Sequence, residues 1–135
     1  MISRDIIKIA SNSKFEGLKK RYTHKSSAKN SICGDSIKIE LIINKSKIVS
    51  MRYETEACIL CEASASLLAN KIKNLYLIDL KRILIDLKKI KKTKKIFVPR
   101  RLKEFNRLLN KDNLNRINCV ILPIEALLKA FNIKK

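Results

Sequence analysis

Tryptophan is absent from this chain, glycine and proline occur twice each, and aromatic residues make up only 5% of it. Proteins that hold single strands stack bases on aromatic side chains, and the sequence-reading modules carry recognisable motifs; neither feature is present. Long apolar runs are missing too. Lysine or aspartate interrupts the apolar windows every few residues, so nothing approaches the ~20 residues of a membrane-spanning helix. The opening Met1-Ile2-Ser3-Arg4-Asp5 leads into too short an apolar stretch for a signal peptide, and Asp5 and Glu16 argue against an organellar transit peptide. Four cysteines without an export signal point to a reducing compartment, and the expected location is cytoplasmic.

Acidic residues are the other scarcity. Twelve stand against 31 basic ones, giving a formal net charge of +19. A lysine-, isoleucine- and asparagine-rich composition on solvated faces accounts for this charge without nucleic acid as a partner. The densest run, Lys88-Lys89-Ile90-Lys91-Lys92-Thr93-Lys94-Lys95, reads as a solvated helix end or exposed loop, and is the basic patch if a partner docks on one. With 135 residues and 46% apolar content the chain has enough material for one core, so a single domain over 1–135 is expected.

Hydrophobic periodicity outlines that domain. Ile6, Ile7, Ile9 and Ala10 suggest a short first helix within Ile2–Ser11, ended by Asn12-Ser13, and the polar stretch Lys14–Asn30 reads as irregular. His24 falls in it, and a lone histidine there reads as solvated. From Ser36 to Ile43, Ile37, Ile39, Leu41 and Ile43 alternate with polar residues as in a half-buried strand. Asn44-Lys45-Ser46 supplies a turn, and Lys47–Glu54, with Val49, Met51 and Tyr53 on one face, completes an antiparallel hairpin; a third edge is expected to lead into Cys58. Ala63–Asn70 opens a helix, Leu75–Ile90 carries an amphipathic stripe of Leu77, Leu80, Leu84 and Leu87, and Pro99 suits a first helical position before Arg101–Leu109. A last helix from about Asn115 carries Cys119 in its early turns, with Pro123 either starting a new segment or kinking this one.

The cysteines carry the chemistry. Cys33 lies in Ile32-Cys33-Gly34-Asp35, Cys58 shortly before Ala63-Ser64-Ala65-Ser66, and Cys119 in Arg116-Ile117-Asn118-Cys119. Three thiolates with one hard carboxylate, Asp35, make a site for zinc or cluster iron that is more labile than four thiolates. Cys58 just ahead of a helix has its thiolate favoured by the helix dipole and unpaired N–H groups. Cys61 forms C-x-x-C with Cys58. That spacing admits a four-thiolate zinc site with Cys33 and Cys119 or a redox pair, but the preferred reading is a small buried side chain one turn from Cys58.

These three cysteine motifs, in order and context, resemble those of the NifU N-terminal (IscU and SufU) iron-sulfur assembly proteins. Asn12-Ser13-Lys14-Phe15-Glu16-Gly17-Leu18 looks like a degraded form of that family's Asn-Pro-Arg-Asn-x-Gly segment. The resemblance implies an α+β fold, a three-stranded antiparallel sheet with helices packed on one side. It also implies that Cys33, Asp35, Cys58 and Cys119 bind Zn2+ or an iron-sulfur cluster, and that Cys33, Cys58 or Cys119 accepts persulfide sulfur. Asn118 stands where IscU-type members have histidine, and the long charged interval between Cys58 and Cys119 is closer to the SufU type, although Ala57 and Asn118 depart from both patterns. The expectation is therefore a SufU-like sulfur acceptor, acting as a zinc-dependent sulfurtransferase or as a non-enzymatic scaffold, with a SufS-like cysteine desulfurase and downstream cluster-assembly proteins as partners. An IscU-like [2Fe-2S] scaffold is the alternative within the family. From other classes, a small zinc-stabilised basic nucleic-acid-binding domain and a structural zinc protein docking an acidic partner are the rivals.

Overall fold

The structure, a computed structural model, describes residues 4–12, 14–30, 34–93, 100–108 and 117–131. Its elements run α1 (Arg4–Ala10), β1 (His24–Asn30), β2 (Asp35–Asn44), β3 (Lys47–Glu56), α2 (Ile59–Lys71), α3 (Leu77–Thr93), a 3-10 segment (Arg100–Arg107) and α4 (Ile117–Ala130). The strands form one antiparallel sheet in the order β1-β2-β3, as expected.

The β2–β3 hairpin follows from alternation and a tight turn. Asn44 pairs with Lys47, and the two residues between them, Lys45 and Ser46, have φ of 52° and 63°. Two successive left-handed residues match the right-handed twist of the flanking strands, the preferred geometry of a two-residue hairpin loop. A register shift between Ile42 and Ile43 then places one extra residue on β3. Such a bulge reverses the alternation beyond it, so Ile48 is buried while Val49, expected inside with Met51 and Tyr53, faces solvent.

Two further readings need correction. The third strand is β1, which lies within the stretch read as irregular and precedes Cys33; the sheet has no third edge leading into Cys58. Its sequence, His24-Lys25-Ser26-Ser27-Ala28-Lys29-Asn30, offers Ala28 as its sole apolar residue, and its residues alternate between half-buried and exposed. It is held by pairing along its whole length, from His24 opposite Leu41 to Asn30 opposite Asp35, and its lysines suit a sheet edge because they discourage further strand addition. The segment expected as the helix Arg101–Leu109 is instead the 3-10 segment, broken where Leu102 leaves helical dihedrals. Leu102, Phe105 and Leu108 are still buried, while Leu109 and Pro99 lie outside the described residues.

The other edge of β3 is covered by chain. Gly17 N–H donates to the Tyr53 carbonyl (2.7 Å), Tyr53 N–H to the Phe15 carbonyl (3.3 Å), and Ile48 N–H to the Leu75 carbonyl (2.9 Å). Arg52 fastens the first of these straps through Nε to the Gly17 carbonyl (2.7 Å) and a terminal nitrogen to the Glu16 carbonyl (2.6 Å). Glu40, on the sheet face opposite the core, is buried because its Oε1 accepts from the Lys19 and Lys20 N–H groups at 2.9 and 3.1 Å.

The apolar sheet face, Ile37, Ile39, Leu41, Ile48, Met51 and Tyr53, meets α2 and α4, with α1 and the 3-10 segment against α2 and α3 against α4. Each fully buried Leu or Ile adds roughly 1.5–3 kcal/mol. Helix α2 is buried nearly all round. Ala63, Ser64, Ala65 and Ser66 keep it slim enough to be touched by sheet and helices at once. It begins at Ile59, four residues ahead of the expected Ala63.

Pro123 stays inside α4. Lacking an N–H, it cannot bond the Cys119 carbonyl four residues back, and its ring loosens that turn. Ser64 Oγ, fully buried, donates to the Val120 carbonyl at 2.7 Å and ties the loosened turn to α2. Ser64→Ala should strip a buried carbonyl of this donor and cost about 1–3 kcal/mol, read as a lower urea midpoint at unchanged m-value. A loss under ~0.5 kcal/mol would mean that another donor reaches Val120.

Candidate metal centre

The site grows from the ends of three elements. Asp35 is the first residue of β2, reached through Gly34, whose φ of 75° is a left-handed conformation that glycine adopts at little cost. Gly34 N–H donates to the Asn30 carbonyl at 2.8 Å, and Asn30 pairs with Asp35 across the ladder. The carboxylate is thereby fixed at the sheet end that faces α2. Cys58 is the N-cap of α2 in an extended conformation (φ −69°, ψ 165°) and makes no side-chain cap hydrogen bond, which leaves its sulfur available to the site. Cys119 lies in the first turn of α4, the helix that Ser64 ties to α2.

Among the described residues, one oxygen of Asp35 and the sulfurs of Cys58 and Cys119 lie within 4.8 Å of one another. Asp35 Oδ1 accepts the Cys58 N–H at 3.2 Å. Its buried Oδ2 has no well-aligned hydrogen-bond donor among the described residues, and the weakly donating Cys119 thiol beside the carboxylate is a poor substitute for a cation that would supply the missing interaction. Cys119 gives the same indication. Burial pushes its thiol far above the usual cysteine value, and the neighbouring Cys58 sulfur and Asp35 carboxylate push it further. A divalent cation would relieve both, binding the two sulfurs as thiolates and the buried carboxylate oxygen as a third donor, a set that suits zinc or iron. The donors present fit such a group.

The remaining sequence candidates separate clearly. Cys33, the fourth expected donor, lies outside the described residues, two positions before Asp35. Cys61 is wholly buried in the core, consistent with the packing role preferred for it, and does not belong to the three-donor group. His24 is on β1, its Nδ1 2.9 Å from Thr23 Oγ1, and also lies outside that group. Lys88 and Lys89 end in ion pairs with Glu125 (3.7 Å) and Asp86 (3.8 Å), Ile90 is buried in the core, and the run from Lys91 to Lys95 falls beyond the side chains described. Two features escaped sequence reasoning. One is the carboxylate bond to the Cys58 N–H, since Asp35 and Cys58 are 23 residues apart. The other is the Ser64 anchor; the small residues of α2 signalled close approach but not its partner. No helix among the described residues is long and apolar enough to cross a membrane.

Comparison with known proteins agrees with this architecture. The crystal structure of the N-terminal part of a NifU-like protein from Brucella abortus superposes with a TM-score of 0.85 at 17% identity, over 96% of this chain and 91% of that one. A protein from Fervidobacterium islandicum AW-1, FiSufU, described as an iron-sulfur cluster assembly scaffold for the SUF system, superposes with a TM-score of 0.79 at 22% identity, over 96% and 95% of the two chains. At these identities the likeness is one of fold. No curated protein sequence matches significantly. The family model of the NifU-like N-terminal domain matches residues 2–104, which takes in Cys33, Asp35 and Cys58, while the structural superpositions extend over nearly the whole chain. The chain belongs to the NifU-like N-terminal domain family.

Proposed function

We propose that this chain is a single-domain, cytoplasmic iron-sulfur cluster assembly protein of the SufU-like type, holding zinc or a nascent cluster and accepting sulfur from a SufS-like cysteine desulfurase. The observation that carries the reading is the convergence of Asp35, at the start of β2, with Cys58, the N-cap of α2, and Cys119, in the first turn of α4, around a buried carboxylate oxygen that has no well-aligned donor among the described residues. Cys33 is the fourth donor in this reading. Three thiolates hold the metal, and the harder carboxylate is the ligand that exchanges most readily.

Sulfur acceptance requires no outside oxidant. The thiolate of Cys33, Cys58 or Cys119 attacks the terminal sulfur of the desulfurase cysteine persulfide. The sulfur–sulfur bond breaks, the desulfurase cysteine leaves as thiolate, and the persulfide is now on this chain. Downstream assembly proteins then take the sulfur or the finished cluster. The IscU-like scaffold remains the second reading, since the same donors suit iron.

The test is the metal and acid-labile sulfide content of anaerobically purified protein, before and after incubation with a cysteine desulfurase and cysteine, with Cys→Ser variants at positions 33, 58 and 119. About one zinc per chain and persulfide without iron supports the acceptor. Iron with matching sulfide means the scaffold, and neither metal nor persulfide overturns both readings.

A further inference from the structure

Half of the C-x-x-C pair lies outside the metal centre. Cys58 belongs to the three-donor group, whereas Cys61 does not. Their places on α2 differ in a way that suits a two-step exchange. Cys58 is the N-cap, partly exposed, with an extended backbone (φ −69°, ψ 165°) and no side-chain cap hydrogen bond. Cys61, one turn on, is 0% exposed. An N-cap side chain turns toward the third helical residue, the pairing that a capping box uses, and Cys61 holds that position in a helix that starts at Ile59. Side chains three apart on a helix have Cβ atoms about 5–6 Å apart, and a disulfide needs about 3.5–4.5 Å. Because Cys58 lies outside the helical dihedrals, rotation at this one residue closes the gap and leaves α2 intact.

Burial sets the order of events. A sulfur donor in solution or on a partner meets the partly exposed Cys58 and not the buried Cys61, so Cys58 is loaded first. Cys61 then meets the loaded sulfur from inside the protein and needs no access to solvent. Cys119 also lies near Cys58, but it belongs to the donor group and is committed to a metal when one is held.

We propose that Cys61 is a resolving thiol that releases hydrosulfide from a persulfide carried on Cys58. The inference rests on the reading of Cys58 as a sulfur acceptor and adds the fate of the sulfur. Cys61 gives up its proton to water, and its thiolate attacks Cys58 Sγ, the inner sulfur of the persulfide. A bond forms between the two cysteine sulfurs, the bond from Cys58 to the outer sulfur breaks, and the outer sulfur leaves with the bonding pair as hydrosulfide. One sulfur–sulfur bond replaces another, so a single turnover needs no added oxidant or reductant; a dithiol reductant then resets the pair. Attack in this sense is favoured because hydrogen sulfide is a stronger acid than a cysteine thiol, which makes hydrosulfide the better leaving group. The dipole of α2 stabilises thiolate at its first turn. The product is sulfide, the form that sulfur takes in an iron-sulfur cluster.

The test loads the full chain anaerobically from two sources, a cysteine desulfurase with limiting cysteine and, separately, inorganic polysulfide, and removes the small molecules before sulfide release is followed. Tryptic peptide 53–71 contains Cys58 and Cys61 as its cysteines, and after alkylation its mass distinguishes persulfide, two thiols and an internal disulfide. The parent should release sulfide equal to the persulfide on Cys58 while this peptide passes from persulfide to disulfide. Cys61→Ala and Cys61→Ser should take up as much sulfur but release it at least about 100-fold more slowly, the result of losing an intramolecular nucleophile. Full uptake shows that fold and loading survive, a readout that a packing role alone would not separate from release. A persulfide as long-lived in the parent as in the variants, a disulfide from Cys58 to Cys33 or Cys119, or no persulfide on Cys58 from either source would each overturn the proposal. Loading by polysulfide alone, followed by release that depends on Cys61, upholds it while removing the desulfurase as donor. Loading of Cys58 by the desulfurase without release overturns it and leaves the acceptor reading standing.

Discussion

Replacing Cys119 by serine is expected to lower zinc affinity by more than a hundredfold and to flatten its dependence on pH. Loss of an outer-sphere partner of a metal ligand typically costs 10–100-fold, and a lost thiolate donor should exceed that. In the metal-free protein Cys119 is held protonated by burial, by Cys58 and by Asp35, so the cation must displace its proton on binding. Each proton released makes the apparent affinity rise about tenfold per pH unit for as long as the thiol is protonated in the metal-free form. The sign is unambiguous: acid weakens binding because the proton competes for the sulfur, and alkali strengthens it. Chelator competition between pH 6.5 and 8.5 measures both effects. The variant should show a shallower slope than the parent by about one proton, because serine does not ionise in this range. An unchanged slope with reduced affinity would mean that Cys119 contributes packing near the site and no ligand atom.

How much of this could be read from the residues differs sharply between parts of the chain. The hairpin and α3 were legible because one face of each is buried, and burial writes a period of 2 or 3.6 into the sequence. β1 was not, because its burial alternates between His24, Ser26, Ala28 and Asn30 on one side and Lys25, Ser27 and Lys29 on the other, with almost no apolar contrast; its strand state comes from the partner β2 and not from its own side chains. The inversion of Ile48 and Val49 was equally hidden, since a bulge is a property of pairing register and leaves no compositional mark. The site shows the same division. Cys58 ahead of a helix and Asp35 after Gly34 are local facts and were visible. The 4.8 Å grouping of Asp35, Cys58 and Cys119 joins residues up to 84 positions apart, and its order was supplied by family resemblance, not by any spacing rule. Pro123 shows the limit of a sound local rule. It forbids one hydrogen bond, but a buried Ser64 on a neighbouring helix holds the loosened turn, and the helix continues through it.

Asp35→Asn should move stability and metal affinity in opposite directions. The side chain has two separate jobs in the structure. Oδ1 accepts the Cys58 N–H and so positions the start of α2, while Oδ2 is buried with no well-aligned donor among the described residues, the weakly donating Cys119 thiol being the polar group beside the carboxylate. Asparagine keeps an oxygen for the first job and removes the uncompensated charge from the second. With two sulfurs as its neighbours, the metal-free protein with Asp35 carries a penalty of about 1–3 kcal/mol for an unsatisfied buried group. Relief of part of it should raise the melting temperature of the metal-free chain by a few degrees. The same substitution removes an anionic oxygen donor, so Zn2+ or Co2+ should bind about 10–100-fold more weakly, on the scale of other losses around metal sites. The sulfur-to-cobalt charge-transfer absorption that reports thiolate ligation should persist. Asp35→Ala provides the contrast, because it also deletes the acceptor for the Cys58 N–H and should lose the stability gain. Thermal unfolding with and without chelator, together with cobalt titration, measures all of these. If Asp35→Asn destabilises the metal-free protein, the carboxylate is serving the fold; if affinity is untouched, it is no ligand. A gain in stability with a loss of metal marks a residue retained for the site at the expense of the fold, the trade expected where function requires a poorly satisfied group.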